Sequence, residues 1–336
     1  ERDVGAKRTL LENFLARAQE TDQQEGIQTP DARIISQAEL PDAPSFPNTP
    51  LFVLAALFGS GFIGVAIAFI TQSMDSSFHT ADEVRDVLRV PLIEVVPRLR
   101  GRYGRTTPVD SVIDRPNGHF AEALRNLYMT IFMVEERPQI VQFASSLPGE
   151  GKTSLVLAFG RLIASTTDES VVVIDCDLRK SSVHRALGGV RHPGLVDYLK
   201  GEATLDQVVQ VDERSGMRFI ASGSSTSNPT HLLRNDLMDA ALADLKTMFD
   251  VILFDTTPAL AVADLRAVQP YVDATVFVVR WRTTPRSAVN DALRVLRRSN
   301  KAFSISGALF NAVDIDDYKN YDSAYSYGLV NSYYRD

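Results

Sequence analysis

Phe143-Ala-Ser-Ser-Leu-Pro-Gly-Glu-Gly-Lys-Thr-Ser154 is the stretch whose residue types and spacing do the most chemistry. An apolar, β-branched run, Ile140 to Ala144, enters it, and a helical run, Leu155 to Ile163, leaves it. A strand, a glycine-containing turn and a helix start direct backbone N–H groups at one point, which attracts phosphate oxygens. Ser146, Pro148, Gly149, Glu150, Gly151, Lys152, Thr153 and Ser154 would line a nucleotide. Lys152 would reach its β/γ-phosphates, and the Thr153 hydroxyl would bind Mg²⁺. Ser146 stands where the strict G-x-x-x-x-G-K-[ST] pattern has its first glycine. An ordinary glycine turn before a helix would look similar if the loop stood alone.

Two acidic motifs downstream argue against that plainer reading. VVVIDCDLR places Asp175 and Asp177 at the end of an apolar strand, with Arg179 beyond them, and VILFDTTP ends another strand on Asp255. A single Asp after a strand is more often a helix cap than a ligand. Phosphoryl transfer needs a nucleotide cradle, carboxylates to organise Mg²⁺ and a group that orients or deprotonates the acceptor. Lys152, Thr153, Asp255, Asp177 and Asp175 supply those parts.

Acceptors for such chemistry stand at the C-terminus. Tyr318, Tyr321, Tyr325, Tyr327, Tyr333 and Tyr334 are six of the chain's ten tyrosines. They lie among Ser, Asn, Asp and Gly with no sustained apolar period, which predicts a mobile tail. An aromatic packing strip or partner contact is the blander alternative. Each phosphorylation would add about −1.5 to −2 charges.

Alternation of helix and strand from about 119 to 313 positions these groups. Strands are legible at 140–144, 171–174, 218–221, 251–254, 275–279 and 304–310. Near-continuous apolar strands between helices predict an α/β fold, a mostly parallel sheet covered on both faces. Ligands in such sheets bind at the carboxyl ends of the strands, where the motifs fall. The chain's 336 residues, 45% hydrophobic and 23% charged, are enough for two or three domains with a sizeable core. A net charge of −7 gives no support to nucleic-acid binding. One cysteine, Cys176, excludes a disulfide framework. The first residue is Glu1 rather than Met, which suggests a portion lying upstream.

Ahead of the sheet, Leu10, Leu11, Phe14, Leu15 and Ala18 recur at helical spacing over residues 4–19, an amphipathic helix suited to packing or a coiled coil. It is expected to stop before the polar stretch from Thr21. Pro41, Pro44, Pro47 and Pro50 recur every three residues, the polyproline II period. Leu51 to Ile70 then carries no charge and has the length to cross a bilayer core. Ala56, Ser60, Gly64 and Ala68 form a small-residue stripe on it that favours a partner helix. Basic residues are sparse before the span, where Arg33 stands alone, and frequent after it, at Arg85, Arg89, Arg98, Arg100, Arg102 and Arg105. That asymmetry puts the C-terminal portion in the cytoplasm, where ATP is. Residues 78–97 read as a short helix capped by Thr80 with Glu83 in the capping box, followed by an apolar strand, and 98–105 as a linker.

Taken in order, these motifs resemble the bacterial tyrosine kinases (BY-kinases), polysaccharide co-polymerases of the Wzc or exopolysaccharide-transport type. SSLPGEGKT, IDCDLR and LFDTTP are similar to the family's Walker A, A′ and B motifs. The resemblance implies six parts: the end of a periplasmic helical region (1–40), a Pro-rich segment (41–50), a transmembrane helix (51–71), a cytoplasmic linker (72–118), a P-loop kinase domain (119–315) and a tyrosine-rich tail (316–336). It implies a protein-tyrosine autokinase in the bacterial inner membrane, with its kinase domain cytoplasmic, using ATP and Mg²⁺ on the tails of neighbours in a homo-oligomeric ring. A tyrosine phosphatase, a polysaccharide polymerase and an outer-membrane export protein are its implied partners, and control of exopolysaccharide or capsule length and export its implied role. Asp175 would help activate the incoming hydroxyl, Asp177 and Asp255 would hold Mg²⁺, and Asn311 would meet the adenine.

Three positions depart from that pattern. The oligomerisation motif E-x-x-R-x-x-R reads Glu122-Ala-Leu-Arg125-Asn-Leu-Tyr128, and losing the second guanidinium implies a weaker or differently built ring. Ser181 stands where a proline is usual, and His231 where Glu is common. Two other functions compete: a P-loop ATPase of the partitioning or division-site type, and a chain-length scaffold with a degenerate kinase domain. The former carries a lysine at the position of Leu147; the latter would not need Lys152, Asp175, Asp177 and Asp255 intact.

Overall fold

The computed structural model describes residues 2–25, 46–90, 93–99, 107–299 and 303–318. The chain divides into two compact units, Glu1–Ile70 and Thr71–Asp336. In the first, helix α1 (Arg2–Glu25) runs past its expected end. Its polar second half contains no Gly or Pro to stop it, and Thr21 turns its hydroxyl back onto Arg17 O at 2.8 Å. Helix α2 (Thr49–Met74) contains the apolar span, and no residue of its window Thr49–Ile70 is buried. Pro50 belongs to its first turn, where a missing N–H costs nothing, rather than to an extended run. Pro41 and Pro44, like Arg100, Arg102 and Arg105, lie outside the described residues.

The second unit is one sheet with helices on both faces. In chain order its elements are α3 (Ala81–Leu88), β1 (Ile93–Pro97), α4 (Pro108–Asp114), α5 (His119–Phe132), β2 (Ile140–Ser145), α6 (Lys152–Thr166), β3 (Val171–Asp175), α7 (Val183–Leu187) and α8 (Leu195–Leu199). Then follow α9 (Leu205–Val208), β4 (Val209–Val211), β5 (Arg218–Ile220), α10 (Pro229–Leu232), α11 (Asp236–Met248), β6 (Val251–Asp255), α12 (Asp264–Val268), β7 (Ala274–Arg280), α13 (Arg286–Ser299), β8 (Gly307–Val313) and α14 (Ile315–Tyr318). Strand order is β1-β8-β7-β2-β6-β3-β5-β4. All neighbours are parallel except β4 and β5.

Alternate residues of the central strands serve opposite faces, as a two-residue period requires. Val141 and Phe143 of β2 pack with Leu124 and Leu127 of α5 and Phe159 of α6. Ile140 packs on the other face with Leu242 and Leu245 of α11, and Ala144 with Val289 and Leu293 of α13. Five of the six expected strands stand where the pattern put them; the last runs Gly307–Val313 rather than 304–310, and short β4 is an addition.

The expected boundary at residue 119 does not exist. Strand β1 is the sheet's edge, parallel to β8, with Glu94 opposite Leu309 and Val95 opposite Phe310. Phe78, Val84 and Leu88 are buried with α13, so most of the segment read as linker is part of the core. Its capping box forms as expected: Glu83 N donates to Thr80 Oγ1 at 3.3 Å, and Thr80 N donates back to Glu83 Oε2. The tail boundary moves too. Helix α14 closes on Tyr318, fully buried against Phe310.

Candidate active site

Strand order explains the site. β6 lies between β2 and β3, so the ends of three neighbouring parallel strands deliver the phosphate loop, Asp255 and Asp175 side by side. Phe143 and Asp175 are both in register with Asp255.

The loop leaves β2 after Ser145 and enters α6 at Lys152. Gly149 and Gly151 have φ of +85° and +92°, the left-handed region in which a Cβ is strained. A Cβ on Gly151 would also stand 2.2 Å from Asn311 Nδ2. Four contacts brace the loop from behind. Glu150 is buried; its Oε2 accepts Leu147 N at 2.9 Å and its Oε1 accepts the Thr284 hydroxyl. Arg280 Nη1 donates to Gly149 O at 2.7 Å, and Asn311 Nδ2 to Glu150 O at 2.8 Å. Burial pushes the Glu150 carboxyl upward, and its hydrogen bonds oppose that. Arg280 and Thr284 carry no short-range sequence signal, because they reach the loop only through the β7–β2 pairing.

Asp255 is fully buried and receives both functional side chains of the loop: Lys152 Nζ forms an ion pair with Oδ1, and Thr153 Oγ1 donates to Oδ2 at 2.7 Å. Asp175 is also fully buried. Its Oδ2 accepts Ser181 Oγ at 2.8 Å and the amides of Ser182 and Val183 at 3.3 and 3.4 Å, and its Oδ1 accepts Asp177 N at 3.2 Å. Burial, then the neighbouring Asp255 carboxylate, pushes Asp175 up to about 7. Asp177 is half-buried and accepts Lys180 N at 2.8 Å; burial raises it too.

These groups surround a cavity of ≈ 350 Å³ lined by the loop from Leu147 to Ser154, by Asp177, and by Arg179, Lys180 and Arg185. Cations and loop amides on one wall and an acidic corner on another suit a nucleotide polyphosphate with its metal. Asp175 and Asp255 stand behind this wall and do not line it. Mg²⁺ fits the donor set: Thr153 Oγ1, Asp177 and Asp255 are hard oxygen donors. Among the described residues no three His, Cys, Asp or Glu side chains form a metal cage. Mg²⁺ usually takes one or two carboxylates plus substrate phosphates, so no cage is required.

Other expected residues are placed elsewhere. Asn311 lies within β8, not after it, and both ends of its amide are engaged: Nδ2 on the loop carbonyl and Oδ1 by Ala312 N at 2.8 Å. It braces the loop and does not line the cavity. Tyr318 is no surface acceptor, because its hydroxyl accepts Ala81 N at 3.0 Å inside the core. Tyr321, Tyr325, Tyr327, Tyr333 and Tyr334 lie outside the described residues. On α5, Arg125 pairs with Glu122 of its own helix and donates to Pro116 O at 2.9 Å. Tyr128, in place of the second arginine, turns inward and donates to Glu169 Oε1 at 2.8 Å. His231 lies in the first turn of α10, where Asn228 caps its N–H.

Known proteins share both the sequence and the fold. Residues 1–73 match the family "GNVR: G-rich domain on putative tyrosine kinase". The chain is 27% identical over 97% of its length to the succinoglycan biosynthesis transport protein ExoP of Rhizobium meliloti, covering 45% of that protein. It is also 27% identical to the tyrosine-protein kinase etk of Escherichia coli, across 97% of this chain and 46% of that protein. The chain thus spans a little under half the length of these curated relatives. The solved kinase domain of Escherichia coli tyrosine kinase ETK superposes with a TM-score of 0.64 at 27% identity, over 70% of this chain and 95% of that one. The VpsO kinase domain superposes with a TM-score of 0.52 at 32% identity, over 58% of this chain and 99% of that domain. A phosphate loop and two strand-end carboxylate motifs, on a sheet shared with these kinase domains, lead to one assignment: the chain belongs to the bacterial tyrosine kinases.

Proposed function

We propose that this chain is the membrane-anchored, ATP-dependent tyrosine kinase portion of a polysaccharide co-polymerase, phosphorylating tail tyrosines of neighbouring copies. The observation that carries the reading is the convergence of Lys152 and Thr153, which line a cationic cavity, on Asp255 behind it, with Asp177 on the same cavity and Asp175 also behind it. Lys152 and the loop amides hold the β- and γ-phosphates. Thr153, Asp177 and Asp255 would hold Mg²⁺, which would supply positive charge against the phosphates. The tyrosine oxygen attacks the γ-phosphorus and the bond to the β–γ bridging oxygen breaks, releasing ADP. The phenolic proton passes to the carboxylates at the end of β3. Asp177 is on the cavity side, and Asp175 supplies negative charge from behind.

The apolar α2 is read as the inner-membrane span, with the second unit cytoplasmic. A ring of copies is proposed around Glu122 and Arg125 of α5. A phosphatase, a polysaccharide polymerase and an outer-membrane export protein are its proposed partners in setting exopolysaccharide or capsule chain length.

Incubating the full chain with ATP and Mg²⁺ and mapping phosphate by mass spectrometry tests the reading. Phosphate is expected on Tyr321, Tyr325, Tyr327, Tyr333 or Tyr334, and none in the Lys152→Met variant. ATP hydrolysis without phosphotyrosine would replace the kinase by a P-loop ATPase.

A further inference from the structure

A second cavity, of ≈ 730 Å³, lies between α3 and α13, lined among others by Arg89, Arg294, Arg297, Arg298, Asn290 and Asp86. Four guanidiniums converge there in a chain whose net charge is −7. Arg294 shares its charge with Asp291, 3.1 Å away on its own helix. Among the described residues Arg89, Arg297 and Arg298 have no ion-pair partner. Arginines in the last turn of α13 also suit the negative end of its helix dipole. Arg89, the C-cap of α3, stands at the corresponding end of its own helix, so the arginines of two helix C-termini meet at this cavity. Arg89 caps α3 in the left-handed region, φ 58°, where glycine is usual and a side chain costs about 1 kcal/mol or more.

The location of the cavity says which anion it meets. α3 and α13 are tied to the first residues that follow the apolar span. Arg286 N donates to Ser76 O at 2.9 Å, Ser77 bridges to Pro285, and Phe78 is buried in the cluster that α3 and α13 share. Only Thr71 to Asp75 separate the span from this attachment, and α2 continues through Met74, so the connecting backbone covers about 10 Å. We propose that this arginine cavity binds the phosphate headgroup of an anionic phospholipid, docking the second unit on the membrane surface. The proposal rests on the reading of α2 as a membrane span. Guanidinium forks match phosphate oxygens in pairs, and a basic cluster near an anionic leaflet gains from each charge it brings.

Hydrogen exchange of the full chain in nanodiscs tests it, comparing phosphatidylcholine alone with phosphatidylcholine plus phosphatidylglycerol. Amides of 84–90 and 290–298 should be protected in the anionic discs, with phosphate-loop amides unchanged as a folding control. Each arginine removed should weaken the preference about fivefold. Arg297→Gln with Arg298→Gln should therefore nearly abolish it, and Arg297→Lys with Arg298→Lys should largely keep it. Arg89→Gly relieves the backbone strain, so a loss of protection without loss of stability separates lipid binding from a structural role. Retention of the chain in both disc types reports on the span alone. Independently, soluble dihexanoyl phosphatidylglycerol added to the chain in detergent should give the same protection, and inorganic phosphate should not. Equal protection in the two disc types, persistence in the Gln variant, or equal protection by inorganic phosphate would each overturn the proposal.

Discussion

Ser181 Oγ donates to Asp175 Oδ2 at 2.8 Å, and His184 Nδ1 lies 3.1 Å from the same hydroxyl. A proline at position 181, usual among the proteins this sequence resembles, could make neither contact. The serine lies outside the cavity wall, so it acts through Asp175. Ser181→Ala is expected to lower the rate of phosphotyrosine formation about tenfold, the lower end of what one hydrogen bond to a charged group contributes. The KM for ATP should stay unchanged, and Ser181→Thr should restore the rate. Initial rates over a range of ATP concentrations check this; a shift in KM with no change in kcat would give Ser181 a nucleotide-binding role instead.

Asp175 also makes stability depend on pH. Its folded value of about 7 lies above the ordinary 3.8. Between those values the folded chain holds a proton that the unfolded chain has released, so stability falls as pH rises through that window. Burial raises Asp177, Glu150 and Glu94 as well, in the same sense. Asp175→Asn keeps an oxygen to accept the Ser181 hydroxyl and removes the buried charge. With chelator present and no nucleotide, it should melt several degrees higher than the parent above pH about 7. The difference should vanish near pH 4. Calorimetry at the two pH values decides it, and equal melting above neutrality would show Asp175 already compensated.

Some of this was legible in the sequence and some was not, for identifiable reasons. Apolar runs that stop on Asp175 and Asp255 mark strand ends, because a sheet buried on both faces needs continuous apolar strands. The order of those strands is invisible to periodicity, which reports burial and not neighbours. Hence the placement of Asp255 between the phosphate loop and Asp175 needed the fold. Val95 reads as strand from its apolar neighbours but not as part of the sheet, since its partner Phe310 lies far along the chain. Tyr318 shares the local composition of the residues after it, so only its burial separates it from them.

Lys152 has a structural as well as a chemical task. Its partner Asp255 is fully buried, with the Thr153 hydroxyl as its other side-chain donor. Removing one member of a buried ion pair leaves an uncompensated charge and costs about 3–5 kcal/mol. Lys152→Met should therefore unfold at lower denaturant as well as lose activity, and adding Asp255→Asn should recover most of the stability and none of the activity. Denaturant titrations of the two single variants and the double variant measure the coupling. Additive effects would mean the pair contributes nothing.

Asn311 distinguishes a loop brace from a base reader. Its amide donates to Glu150 O at 2.8 Å and packs on Gly151. Asn311→Ala should weaken ATP and GTP binding alike, by about fivefold for one neutral hydrogen bond. Titrations with both nucleotides read the ratio, and a change in purine preference would restore the adenine role.

Tyr318 is the remaining test of where the folded unit ends. Its hydroxyl accepts the Ala81 N–H in the first turn of α3, one of the donors with no partner inside a helix. Tyr318→Phe leaves that buried donor unpaired, at a cost of about 1–3 kcal/mol. Phosphotyrosine yield should be unaffected once the variant is folded, because the ring stays in the core and the hydroxyl was never presented to a neighbour's cavity. Thermal unfolding and phosphate mapping on the same preparation check both halves. Lost phosphate with unchanged stability would return Tyr318 to the acceptors and require α14 to detach from the sheet during the reaction.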